Sequence, residues 1–264
     1  MVTEFKDRNY WALILGGSSG LGLATARKLA KHGMNIIIIH RDRKSELSDI
    51  EEAFEDIRNS DVRLESFNVD AIQKEKRESL IEEIKKVLGD QGKIRTLVHS
   101  IAKGNLKPMN GEGPVLENLD FQLTLDAMAL SLYDWTQDIF NAQLFAKDAR
   151  VISFTSEGSQ KAWPNYGAVS VAKAALESIT RSMALEFAPF GIRANCIQAG
   201  VTVTRSFQMI PGSDTLREHA LKHNPFKRLT VPKDIANVVY LLSKDEASWI
   251  TGTIIPVNGG EHLK

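Results

Sequence analysis

The chain has 264 residues, enough for one large α/β domain and short for two ordinary ones, so a single domain over 1–264 is expected. Its 33 basic and 33 acidic residues cancel, which removes the electrostatic footprint of a nucleic-acid or anionic-membrane binder. One cysteine, Cys196, rules out an internal disulfide and a cysteine-based zinc cluster and suits a reducing compartment, by default the cytoplasm. The polar start Met1 to Tyr10 and the short aliphatic run Ile36 to Ile39 support neither secretion nor membrane insertion.

Trp11 to Leu15 reads as a strand that runs into Gly16-Gly17-Ser18-Ser19-Gly20-Leu21-Gly22 and then into a helix carried by Leu23, Ala24, Ala26, Leu29 and Ala30 and closed by Gly33. Strand, glycine turn and helix in that order form a phosphate-binding device. The glycines let the backbone approach a pyrophosphate, and the helix start offers unpaired N–H groups. Gly16, Ser18, Ser19, Gly20 and Leu21 are the candidate contacts. Asn35 to His40 has the continuous apolar run of a strand buried in a parallel sheet, and the residues at its exit bear on the nucleotide. A free 2′-hydroxyl is usually met by a carboxylate there and a 2′-phosphate by a guanidinium. The run His40-Arg41-Asp42-Arg43-Lys44 favours NADPH through Arg41, while Asp42 leaves NADH open.

A charged helix over Ser45 to Ile57 precedes a third strand, Arg63 to Asn68, whose exit residues Asn68 and Val69 are further nucleotide candidates. Gln73 to Leu88 is a helix with one apolar face, and Thr96 to His99 is the fourth strand. Its exit loop Ser100-Ile101-Ala102-Lys103-Gly104 should face the glycine turn across a nucleotide, because ligands of open parallel sheets sit where the winding reverses. His99, a strand histidine without a visible partner, reads as structural. Residues 105–119 read as a surface excursion, Asp120 to Phe145 as one helix fit for core or subunit interface, and Arg150 to Phe154 as the fifth strand, delivering Thr155 and Ser156. A sixth strand, Arg193 to Gln198, exits into Val201-Thr202-Val203-Thr204, and the mixed segment 202–226 suits a lid over a substrate. Pro232 to Leu242 is a helix and Ile254 to Val257 a last strand.

Between the fifth and sixth strands lies the stretch the rest serves. Pro164 starts a helix near Tyr166, and at ~100° per residue Tyr166 and Lys173, seven apart, share one face. A phenol with its ordinary pKa near ~10 is a poor acid or oxyanion partner at neutral pH unless a cation stands beside it, and Lys173 can be that cation.

Together these residues resemble the short-chain dehydrogenase/reductase family along nearly the whole chain. The resemblance is carried by Gly16-x3-Gly20-x-Gly22, by the Tyr and Lys, and by the tail from Lys233-Asp234-Ile235-Ala236 through Ile250-Thr251-Gly252 to Val257-Asn258-Gly259-Gly260. It implies a Rossmann-type, doubly wound α/β fold with a seven-stranded parallel sheet and helices on both faces. The commoner branch places its tyrosine four before the lysine, where this chain has Val169. The Tyr-x6-Lys spacing, with Pro164-Asn165-Tyr166, His99-Ser100-Ile101-Ala102 and Ala199-Gly200 followed by Thr204, is similar to the enoyl-acyl-carrier-protein reductases.

Moving the phenol three residues towards the helix start shifts its base by about 4.5 Å, which fits charge developing on the oxygen of a conjugated thioester several bonds from the carbon that takes hydride. The resemblance implies that Tyr166 hydrogen-bonds this oxygen, that Lys173 holds the nicotinamide ribose, that Thr202, Val203 and Thr204 join the nucleotide site, and that Gly104 lines the acyl site through its backbone. It also implies a thioester substrate on acyl carrier protein and a homotetramer or homodimer. Ser156, ten before Tyr166, stands where many enoyl reductases carry a second tyrosine and carbonyl reductases a serine; Leu15 replaces a frequent threonine, and Asp126 only approximates the asparagine of many carbonyl reductases. A carbonyl or alcohol oxidoreductase, such as a 3-oxoacyl thioester reductase, is the alternative. A nucleotide sensor without turnover is a second rival, against which the intact Tyr166 and Lys173 argue.

Overall fold

The computed structural model describes residues 3–263; Met1, Val2 and Lys264, the ends of the expected domain, lie outside them. Seven strands form one parallel sheet in the order β3-β2-β1-β4-β5-β6-β7: β1 (Tyr10–Leu15), β2 (Asn35–His40), β3 (Leu64–Asn68), β4 (Lys93–His99), β5 (Phe145–Thr155), β6 (Ile192–Ala199) and β7 (Ile254–Val257). The winding reverses between β1 and β4. That reversal opens a crevice beyond their carboxyl ends.

Both faces of the sheet are covered, so its strands are apolar throughout rather than alternating. Trp11, Leu13 and Leu15 enter one core, against α3 (Lys74–Leu88), α5 (Ser131–Asn141) and α6 (Gly167–Glu186). Ala12 and Ile14 enter the other, against α1 (Gly20–Lys31), α2 (Leu47–Arg58) and α9 (Pro232–Ser243). The period of two in β1 divides the residues.

The expectation of one helix over Asp120 to Phe145 is corrected. α4 (Asn118–Leu125) passes through a π-helical segment, Asp126–Leu130, into α5, which ends at Asn141. Gln143 turns the chain at φ +58°, and Phe145 already belongs to β5. Segments of this wider winding re-aim the side chains beyond them. Here the segment puts Ala127 and Met128 into a small apolar cluster with Val169 and Ala172, packed against Leu106 and Tyr166.

At the opposite end of the sheet a charged clasp ties three strands. Asp148 of β5 accepts hydrogen bonds from Arg95 (2.5 Å), Arg150 (2.5 Å) and Arg193, and Arg95 also reaches Asp245 at 2.8 Å. Burial alone would raise the Asp148 pKa; the bonds from Arg150 and Arg95 outweigh it and hold it down at about 2. The expected lid carries two short helices, α7 (Arg205–Gln208) and α8 (Ser213–His223).

Candidate active site

The glycine turn is dictated by contact. A Cβ on Gly16 would lie 2.4 Å from the Ser100 carbonyl oxygen, and one on Gly22 would lie 2.2 Å from that of Gly16. Gly16 adopts φ +80°, a conformation open to glycine at little cost. The turn and the exit loop of β4 therefore stand face to face, as the winding reversal requires. Ser19 caps α1 without a side-chain hydrogen bond, so the first N–H groups of the helix stay free for an anion. Ser18 and Leu21 flank it half-buried, and Gly20 stands 3.5 Å, measured from its ideal Cβ, from the Thr204 methyl. This cradle has the shape and donors for a dinucleotide's pyrophosphate.

On the adenosine side, Arg41 is 59% exposed and bonds Asp70 at 2.9 Å, with Lys103 3.8 Å from the same carboxylate. Asp42 is turned the other way. Its carboxylate meets His40 Nδ1 at 2.8 Å and is 15% exposed. Asn68 spends its side chain on the Asp42 backbone, accepting from N at 3.0 Å and donating to O at 3.1 Å, while the Val69 N–H donates to the His40 carbonyl. The Asn68 side chain and the Val69 backbone thus brace the wall between β2 and β3. Ile101 is half-buried and Ala102 exposed on the opposite loop. Thr202 donates to the Gly200 carbonyl at 2.9 Å, Val203 is exposed, and Thr204 caps α7 by accepting from the Phe207 N–H at 3.2 Å.

The centre of the site is built on the end of β5. Tyr166 is the residue immediately before α6, and its carbonyl accepts the first helical bond, from Ser170. Lys173 is 8% exposed and donates from Nζ to the Phe154 carbonyl at 2.6 Å. Two donors of the ammonium remain. Burial, opposed by Cys196 and then Glu177, lowers the Lys173 pKa to about 8, a displacement of about 3 kcal/mol against the charged form.

Tyr166 reaches the same strand end from the other side. Its ring lies over Gly158, where a Cβ would be 2.5 Å from Cε1, and burial raises its pKa, opposed by the nearby Ser156 hydroxyl. Ser156 Oγ lies near enough to the phenol to lower its pKa, and it is buried with no hydrogen-bond partner among the described residues.

Val169, in the place four before the lysine, is 4% exposed in the apolar cluster. A Cβ on Gly104 would come within 2.6 Å of its Cγ2 and 3.0 Å of the Met128 sulfur. The phenol is set back, and an apolar floor lies before it. His99 is structural, as expected: it is 1% exposed, pairs with Ser131 Oγ at 2.8 Å, and is driven down to about 3 by burial and then by the Lys173 charge.

Two residues escaped the sequence. Gly158 left no signal, since only the fold brings the Tyr166 ring over it. Glu177 did leave one, an acid one turn beyond Lys173 on a buried helical face.

The chain is similar to known proteins. The family model described as Enoyl-(Acyl carrier protein) reductase matches residues 16–262. The NADH-dependent enoyl-[acyl-carrier-protein] reductase FabI of Aquifex aeolicus is 30% identical over 184 residues, covering 69% of this chain and 68% of that protein. The 3-oxoacyl-[acyl-carrier-protein] reductase FabG of Staphylococcus epidermidis is 29% identical over 257 residues, covering 97% of this chain and 100% of its own. The crystal structure of the Aquifex aeolicus VF5 enoyl reductase superposes with a TM-score of 0.84 at 25% identity, covering 98% of both chains. Among the described residues no helix is long and apolar enough to cross a membrane. With its parallel sheet, glycine cradle and Tyr-x6-Lys pair, the chain belongs to the short-chain dehydrogenase/reductase family, in the enoyl-acyl-carrier-protein reductase branch, and is an oxidoreductase.

Proposed function

We propose that the protein saturates the carbon–carbon double bond of an enoyl thioester, with NADPH as the favoured reductant. The observation that carries this reading is the withdrawn phenol: Tyr166 stands before the first turn of α6, and buried Val169 fills the place a carbonyl reductase gives to its tyrosine. The floor of Ala127, Met128, Val169 and Ala172 then suits the apolar carbons of an acyl chain. A reduced nicotinamide supplies hydride to the β-carbon when bound. Tyr166 donates a hydrogen bond to the thioester oxygen as negative charge develops on it, and the unpartnered Ser156 hydroxyl is placed to donate a second. Lys173 adds positive potential and, with the donors left by Phe154, holds the nicotinamide ribose.

NADPH is favoured because Arg41 is exposed at the adenosine end and the competing acid, Asp42, is occupied by His40. Thr202 to Thr204 and the half-buried loop at Ser100 and Ile101 complete the nucleotide site, and 202–226 acts as the lid. The substrate arrives on acyl carrier protein in the cytoplasm. Exposed Leu119, Leu123, Leu130 and Tyr133 on α4, the π segment and α5 give the chain an apolar face for a homotetramer or homodimer.

A second reading, 3-oxoacyl thioester reduction, is favoured by one observation, the serine at position 156 beside the phenol. Oxidation of NADPH and NADH, followed by absorbance against crotonyl and acetoacetyl thioesters, separates the two. Faster turnover of crotonyl thioester supports the first reading; turnover of acetoacetyl thioester alone replaces it with the second.

A further inference from the structure

Deeper along α6 lies an acid that the reaction above leaves unused. Glu177 is 6% exposed, one helical turn beyond Lys173, and its Oε1 accepts from Thr155 Oγ1 at 2.7 Å. Lys173 bonds the carbonyl of Phe154 and Glu177 the hydroxyl of Thr155, so the two side chains grip consecutive residues just before Ser156. A buried carboxylate is costly unless a cation balances it, and a threonine hydroxyl cancels no charge.

Among the described residues, two titratable groups favour the charged form of Lys173, the thiol of Cys196 and the carboxyl of Glu177. His99, from β4, is neutral because burial and the lysine's own charge push it down to about 3. Cys196, from β6, ranks ahead of Glu177 among the groups that raise the Lys173 pKa, but burial pushes its thiol up to about 11 and it stays protonated at working pH. Tyr166, at the helix start, is a neutral phenol whose pKa burial raises. Ser153 and Thr180 bring only hydroxyls.

We infer that Glu177 is a positioning residue of the reaction: its charge keeps Lys173 an ammonium inside the protein, and its bond to Thr155 fixes the strand end that carries Ser156. The inference rests on the reading that Lys173 acts as a cation beside the nicotinamide ribose, and it holds for either thioester. The direction is set by charge. Without the anion the ammonium gives up its proton at lower pH, and whatever depends on it fails earlier as pH rises.

The test is NADPH binding by nicotinamide fluorescence across the alkaline range, which needs no acyl substrate, for wild type, Glu177→Gln and Glu177→Asp. Glutamine still accepts from Thr155 but carries no charge; aspartate keeps the charge. The expected result is a binding limb displaced downward by about one pH unit in Glu177→Gln, a tenfold change in ammonium population, and a limb close to wild type in Glu177→Asp. A variant that folds as Asp but not as Gln supports the charge role as well. An unmoved limb in Glu177→Gln, equal displacement in both variants, or failure of both to fold overturns it. A chain that binds no nicotinamide nucleotide at any pH sinks the proposed function instead; the Lys173 ζ-nitrogen resonance of the free protein, in wild type and Glu177→Gln, then reads the same displacement.

Discussion

Gly158→Ala isolates the placement of Tyr166 from everything else in the site. The added methyl would stand 2.5 Å from Cε1 and 3.1 Å from Cδ1 of the phenol, and 3.3 Å from Ser156 Oγ. Carbon atoms rest at about 3.5–4.0 Å, so the ring must retreat by about 1 Å or more. The Gly158 backbone does not use the left-handed region, so alanine adds no backbone strain there. A reacting group misplaced by about 1 Å loses about 10²-fold in rate. The expected outcome is therefore a kcat lowered about 10²-fold, with NADPH affinity unchanged, since no nucleotide contact is moved. Stopped-flow or steady-state oxidation of NADPH with crotonyl thioester gives the rate, fluorescence titration the affinity, and thermal unfolding a check on the fold. Wild-type kcat in a folded Gly158→Ala protein would refute the position assigned to the phenol.

Tyr166→Phe removes the hydroxyl and keeps the ring over Gly158; turnover should fall by at least about 10²-fold while NADPH still binds, and equal activity would take Tyr166 out of the mechanism. Arg41→Ala should raise the KM for NADPH about tenfold or more and leave that for NADH nearly unchanged, as for one lost charge-assisted contact; equal effects on both would remove the 2′-phosphate contact. Asp148→Asn leaves Arg150, 1% exposed in its side chain, without a carboxylate and takes one of the two that Arg95 holds, and should cost about 1–3 kcal/mol in denaturant unfolding without changing KM. The Asp148 pKa is depressed from 3.8 to about 2, so its contribution is full above 3.8 and lost as pH falls towards 2. The variant should lack that part of the acid limb, and an identical limb would assign it to other carboxylates.

Much of the fold is legible in the sequence because one physical pattern repeats. Ile36 to Ile39 and Leu97 to Val98 are apolar on both faces only because helices cover both sides of a parallel sheet, and Gly16 and Gly22 are glycines because backbone carbonyls sit where side chains would be. The run from Asp120 to Phe145 misled because helical periodicity does not register a π segment, and because Phe145 is apolar enough to end a helix or to start β5. At the site, spacing along α6 located Tyr166 and Lys173. It was silent on Gly158 and on the turning of Asp42 to His40, which depend on contacts between distant or folded-back segments.

The central claim is that hydride reaches the β-carbon of an unsaturated thioester while Tyr166 holds the thioester oxygen. Crotonyl thioester reduced with nicotinamide deuterated at C4, the product being read by mass spectrometry and NMR, tests it most directly. The account predicts butyryl thioester with deuterium on the β-carbon and a solvent proton on the α-carbon. No deuterium transfer to crotonyl thioester, alongside rapid deuteration of acetoacetyl thioester to the 3-hydroxy product, would contradict it.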